Sequence, residues 1–303
     1  MPGIELAKKC FFEKFLPLLR ERLPEAEGRI AAGLVGGGSE CFGFDDGISR
    51  DHDFSDGFYV WLTDEDDIKY GVELARIYRE CVTPPRLTCA RPRQRGVITV
   101  GEFYLAYTGR RGLPEHPLEW LDLPEHALAE ATNGCVFLDN VGMFSAIRSG
   151  LTDKMPADVL KKRLAARVIT MAQSGQYNFS RCLAHGEVGA SRLALSEFAE
   201  AAISAAFLLN RRYAPYYKWS LRALRELPKL GCLADNITSL LCETDESACR
   251  ELIEQISKDV ADELRRQGLS DSTADYLEPH AYSVFGKIED RNLRSLHIMD
   301  GGA

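Results

Sequence analysis

The chain of 303 residues is long enough for one large domain or two ordinary ones, and 45% hydrophobic with 27% charged residues suits a globular protein with a sizeable core. A formal net charge of −8 argues against a protein that coats nucleic acid by general attraction. It leaves room for a local basic groove and suits a small cationic acceptor.

Residues 4–22 place Leu6, Phe11, Phe15, Leu18 and Leu19 near helical spacing, which predicts an amphipathic opening helix bent at Pro17. The segment Met1 to Arg20 mixes charged with apolar residues and lacks the apolar stretch of a secretory signal. Ile30 to Val35 reads as a short buried strand running into the turn Gly36-Gly37-Gly38-Ser39. Asp45-Asp46-Gly47 is a turn signal, and Asp51 to Leu62 reads as a second strand. Asp64-Glu65-Asp66-Asp67 predicts a helix start, because carboxylates favour the positive end of the helix dipole. Arginines 86, 91, 93 and 95 form a basic stretch punctuated by prolines. Val97 to Tyr107 reads as strand, and so does Cys135 to Leu138. From about Thr152 the periodicity is helical, with stripes at Val159, Leu160, Leu164, Val168 and Met171, at Leu195, Phe198, Ala202 and Leu209, and at Leu252, Ile256, Val260 and Leu264. The expected architecture is an α/β domain over 1–150 followed by an all-α domain over 151–303.

Nine cysteines with no C-x-x-C pair support neither a zinc ribbon nor a disulfide framework, and no run of about 18 apolar residues suggests a membrane span. A cytoplasmic protein without a membrane partner is expected.

The chemically informative stretch is Gly38-Ser39 followed by Ser49-Arg50-Asp51-His52-Asp53-Phe54. In a strand, Asp51 and Asp53 share one face and His52 takes the other. Two carboxylates on one face repel unless a cation sits between them, and Mg²⁺ (or Mn²⁺) keeps positions open for phosphate oxygens when held by a few carboxylates. The backbone N–H groups of a glycine turn can hold polyphosphate, because no side chain blocks the approach.

A Gly-Ser turn with an Asp-x-Asp strand about a dozen residues later resembles the nucleotidyltransferase superfamily. The fuller string Gly38-Ser39-Glu40, Gly43-Phe44-Asp45-Asp46, Ser49 to Phe54, together with Gln176-Tyr177-Asn178 and Asn210 to Trp219, resembles its DUF4037 branch. The resemblance implies an N-terminal nucleotidyltransferase-like mixed sheet with helices and a helical domain closing over the nucleotide. It implies Mg²⁺-dependent transfer of a nucleoside monophosphate from an NTP, ATP foremost, to an acceptor, with release of pyrophosphate. Gly38 and Ser39 would contact the phosphates, and Asp51 and Asp53 would hold the metal. A third carboxylate is expected, with Glu102 the first choice as catalytic residue and Asp139 the second as metal ligand. Lys218, beside Trp219, would contact the triphosphate, and Tyr177 would stack on the base. The acceptor is open among a small molecule, a protein and an RNA. The competing class is a non-catalytic nucleotide-binding or regulatory module on the same fold. A phosphohydrolase with an aspartyl nucleophile fits less well, because Gly47-Ile48-Ser49-Arg50 precedes Asp51 where an apolar strand would be needed.

Overall fold

A computed structural model describes residues 1–48, 55–83 and 95–301. It is mostly helical, with one four-stranded mixed sheet. In chain order the elements begin with α1 (Gly3–Cys10), a π-helical turn (Phe11–Phe15), α2 (Leu16–Arg22), β1 (Ala31–Leu34) and a 3₁₀ turn (Ser39–Phe42). There follow β2 (Tyr59–Leu62), α3 (Asp64–Cys81), β3 (Val97–Thr99), α4 (Val100–Thr108), α5 (Pro117–Leu121), α6 (Glu125–Thr132), β4 (Cys135–Asp139) and α7 (Met143–Asp153). The rest is helical: α8 (Ala157–Met171), a π-helical stretch (Ala172–Phe179), α9 (Ser180–Ala184), α10 (Val188–Leu209) and α11 (Tyr217–Arg225). The last helices are α12 (Leu233–Cys242), α13 (Glu246–Arg266), α14 (Leu277–Gly286) and α15 (Arg291–Ser295).

The chain forms two compact units. The first joins Met1–Pro114 to Ala127–Lys154, and the second joins Glu115–His126 to Met155–Ala303. The sequence expectation of a single cut at 150 is thus replaced by a division in which a short segment, 115–126, belongs with the later helices.

In the first unit the sheet order is β3-β2-β1-β4, with β1 antiparallel to both neighbours and β2 parallel to β3. Strand β2, Tyr-Val-Trp-Leu, is buried at every position because helices cover both faces of the sheet. Val60 and Leu62 join a core with Phe58 just before the strand, Phe11 and Phe15 from the opening helical segment, and Leu74 and Ile77 from α3. Tyr59 and Trp61 face the other way, with Phe103 of α4 edge-on to both rings and Phe144 of α7 stacked 3.7 Å from Trp61. Alternation along one strand therefore feeds two aromatic-rich layers. The start of α3 is as expected: the Thr63 hydroxyl accepts from the Asp66 N–H, and four acidic residues fill the first turn.

Two expected strands are shorter than the sequence suggests. Of the second, residues 51–54 lie outside the described residues and the strand runs from Tyr59, with Phe58 donating its N–H to the Tyr78 hydroxyl instead of a ladder partner and Asp56 accepting from the Thr83 N–H. The third ends at Thr99, where a capping box starts α4. The Thr99 hydroxyl accepts from the Glu102 N–H and the Glu102 carboxylate accepts from the Thr99 N–H, each at 3.1 Å.

The second unit packs the three expected stripes into one aliphatic core centred on α8, α10 and α13. Leu252 alone of those positions is only partly buried. Charged groups lie inside this core. Arg163 is 1% exposed and donates through Nη2 to the carbonyls of Trp120, Leu121 and Leu123, fastening the 115–126 segment to α8. Glu125 accepts from the Ser204 hydroxyl of α10 at 2.6 Å and from Arg167. Lys162 donates to the carbonyls of His297 and Ile298, anchoring the last described turn. Among the described residues no helix is long and apolar enough to cross a membrane.

Candidate functional site

Strand β1 ends at one edge of the sheet, where β2, β3 and β4 all begin, and the glycine turn stands at that edge. Gly36 and Gly38 have φ of +113° and +119°, a region that residues with a Cβ rarely adopt. Asn133, just after α6, holds Gly36 from both sides: its Oδ1 accepts the Gly36 N–H and its Nδ2 donates to the Gly36 carbonyl, each at 2.8 Å. The Tyr107 hydroxyl, from α4, accepts the Gly37 N–H at 3.1 Å. It approaches so closely that a Cβ on Gly36 would lie 2.2 Å from it. The turn is therefore fixed by two side chains distant in sequence.

Beyond the two clamped glycines, the N–H groups of Gly38, Ser39 and Glu40 and the Ser39 hydroxyl donate to no partner among the described residues. They open the 3₁₀ turn Ser39–Phe42, and Gly37 at its approach is exposed. Glu40 pairs with Arg95, whose Nη1 also donates to the Gly57 carbonyl at 3.5 Å. This ties the turn to the starts of β2 and β3. Cys41, behind it, has its thiol pushed up to about 12 by burial, which keeps it protonated and unreactive at neutral pH. The Glu130 carboxylate oxygens stand 3.8 Å from where a Cβ on Gly37 would be.

Asp51, Asp53 and His52, with arginines 86, 91 and 93, lie outside the described residues. The chain resumes at Ser55-Asp56-Gly57, immediately before β2, so the paired aspartates directly precede the strand that begins at the glycine-turn edge.

The register places both expected third carboxylates away from the glycine turn. Ala31 at the start of β1 pairs with Asp139, whereas Leu34 at its end pairs with Cys135. Asp139 is thus about 10 Å along the sheet from the turn edge, at roughly 3.3 Å per residue. Its carboxylate accepts from the N–H groups of Gly142 and Ser145 at 2.8 and 2.7 Å, and so is consumed in starting α7. Glu102 follows the far end of β3 and serves the capping box. Neither stands with Gly38 and Ser39. Among the described residues no group of three or more histidine, cysteine or acidic side chains is arranged to hold a metal.

Tyr177 and Lys218 belong to the second unit. Tyr177 is half exposed on the π-helical stretch, with the Arg181 guanidinium 5.0 Å from its ring. Its neighbour Gln176 is structural, donating to Glu254 and accepting from the Leu277 N–H. Lys218 is exposed in the first turn of α11, its Nζ 5.0 Å from the ring of Trp219.

Residues 120–220 match the family model described as a domain of unknown function, DUF4037. The matched span holds Asp139, Tyr177 and Lys218 and stops short of the glycine turn, Asp51, Asp53 and Glu102. No curated protein and no solved structure matches the chain.

Sequence reasoning missed Tyr107, Asn133, Glu130 and the Glu40–Arg95 pair. Asn133-Gly134 carries a turn signal that could have marked the first of the clamps on Gly36. Tyr107 gave none, because a tyrosine in an apolar run is ordinary core.

Proposed function

We propose that this protein binds a nucleoside triphosphate with Mg²⁺ or Mn²⁺ at the Gly36–Ser39 turn and transfers the nucleoside monophosphate to an acceptor, releasing pyrophosphate. The observation that carries the reading is the clamped turn. Tyr107 and Asn133 use up the Gly36 and Gly37 N–H groups and leave those of Gly38, Ser39 and Glu40 as donors on a sheet edge. A fixed set of N–H groups suits a polyphosphate, because donors already held in place lose little freedom on binding. The mixed sheet followed by helices agrees with a nucleotidyltransferase-like fold, and the DUF4037 match agrees with the branch that the sequence resembles.

In this reading Asp51 and Asp53 hold the cation, which neutralises phosphate charge when bound. Gly38 and Ser39 orient the phosphates. Glu130, whose carboxylate stands beside Gly37 at the turn, is the group that receives the acceptor's proton in this reading.

Calorimetry with Mg²⁺ and ATP tests the binding step. Asp51→Ala and Asp53→Ala are expected to abolish metal-dependent affinity, and unchanged affinity in both overturns the reading. Glu130→Gln should keep affinity and lose transfer of label from a labelled NTP to protein, RNA or small-molecule acceptors.

The engagement of Glu102 and Asp139 as helix caps favours a second reading, a non-catalytic nucleotide-binding or regulatory module. Tight Mg²⁺–ATP binding with no label transfer to any acceptor class would select it.

A further inference from the structure

The connection after α10 carries side chains that the fold of the second unit does not use. Helix α10 ends in a double reverse bond: the Arg211 N–H donates to the Leu208 carbonyl and the Arg212 N–H to the Phe207 carbonyl, each at 3.0 Å. This closing motif places its penultimate residue in the left-handed region, where glycine is strongly preferred. Here the position is Arg211, with φ of +56°. A side chain is thus retained where its absence would relieve backbone strain. Arg211 and Arg212 are both exposed, and neither forms an ion pair with another described residue. After the buried Tyr213 and Pro215 come Tyr216 and Tyr217, 48% and 72% exposed, with ring centroids 4.2 Å apart. Exposed Lys218 follows.

The charge around these side chains is strongly one-sided. Residues 211–229 contain Arg211, Arg212, Lys218, Arg222, Arg225 and Lys229 against the single acid Glu226, in a chain whose net charge is −8. Arg225 and Lys229 are balanced by Asp235 and Glu263 and Arg222 is also engaged, which leaves Arg211, Arg212 and Lys218 as the exposed cations of the segment.

We infer that the Arg211–Lys218 segment is a binding surface for single-stranded nucleic acid. Phosphates would meet the three cations, and a base would stack on the exposed Tyr216–Tyr217 pair. Single strands fit better than duplex, because only an unpaired base offers its face to an aromatic ring. The inference does not rest on the triphosphate reading of the glycine turn, and its test contains neither nucleotide nor Mg²⁺.

The experiment is fluorescence anisotropy of a labelled 12-nucleotide single-stranded RNA with the full chain, titrated at several KCl concentrations. Saturable binding is expected, with a log–log salt slope of about −2 for three cations at roughly 0.7 each. Tyr217→Ala should weaken binding at least about fivefold with the slope unchanged. Arg211→Gly should raise Tm, since it removes the strained side chain, while weakening binding and reducing the slope by about 0.7. Absence of saturable binding, equal affinity for a duplex of the same sequence, stronger binding to anionic vesicles or to an acidic peptide, or affinity untouched by both variants would each overturn the inference.

Discussion

The two units use polar side chains for opposite purposes. In the first, the core is rich in aromatic rings, and the telling polar contacts gather at a sheet edge, where Asn133, Tyr107 and the Glu40–Arg95 pair shape a glycine turn. In the second, the core is aliphatic and alanine-rich, and Arg163, Glu125 and Lys162 are drawn inside it to fasten chain segments that helix packing alone would leave loose. Around the turn, the polar side chains leave backbone donors facing outward. Polar groups that spend their hydrogen bonds on carbonyls inside the core belong to the fold. The difference teaches that burial of a charged residue is not by itself a functional signal: Arg163 is the most buried arginine described, and its bonded donors serve the backbone.

The sharpest way to break this contrast is Arg163→Ala. It strands three buried carbonyls and removes one of the two arginines beside the buried Glu125 carboxylate, and should cost about 3–5 kcal/mol in urea unfolding. Arg163→Met, which keeps the volume of the stem, should cost less. If Arg163→Ala instead left stability intact, the second unit's internal charges would not be structural ties.

Gly36→Ala comes next, with an expected loss of about 1–3 kcal/mol from the forced positive φ, and more where Tyr107 cannot withdraw. Its Mg²⁺–ATP affinity should fall along with Tm. Asn133→Ala removes both hydrogen bonds to Gly36 and should cost about 1–3 kcal/mol, with Tyr107→Phe nearer 1 kcal/mol. Loss of stability in these variants with undiminished triphosphate affinity would make the turn architecture rather than a site.

The smallest effect expected is one of pH, and it compares one carboxylate from each unit. Burial works against the charge of Asp66 in the first unit, but Arg29 and Thr63 outweigh it and hold its pKa below the ordinary value. Burial likewise opposes the charge of Asp158 in the second, where Lys161 and the N–H groups of Asp290 and Glu289 outweigh it. A carboxyl depressed in the folded state contributes stability above its unfolded pKa and loses it as pH falls through the folded one. Thermal stability should therefore be flat in these two terms from neutral pH to about pH 4, then decline. Asp66→Asn and Asp158→Asn should each shallow that decline, and a decline already present near pH 6 and unchanged in both variants would assign it to other groups.

Much of the helical unit was legible because a 3.6-residue stripe is a local statement about one face of one element. The stripes on α8 and α10 are all buried. The acidic start of α3 was legible for the same reason, since capping and dipole effects act within one turn. Strand lengths were less so. Val97 to Tyr107 is apolar enough for strand or helix, and a two-sided capping box between Thr99 and Glu102 decided for helix at Val100. A carboxylate that ends a strand and one that begins a helix carry the same letter.

For the site, the residues themselves fixed that a glycine turn follows a buried strand and that Asp51 and Asp53 come just before the next one. Only the tertiary structure decided the register, and the register alone moved Asp139 and Glu102 to the other end of the sheet. The clamps on the turn were likewise beyond local reading. Tyr107 and Asn133 lie 70 and 97 residues from the glycines they hold, and hydrogen bonds across such spans are set by how helices stack on the sheet. Periodicity and capping are properties of neighbouring residues and survive in the sequence, whereas which edge of a sheet a side chain reaches depends on pairing that no local pattern encodes.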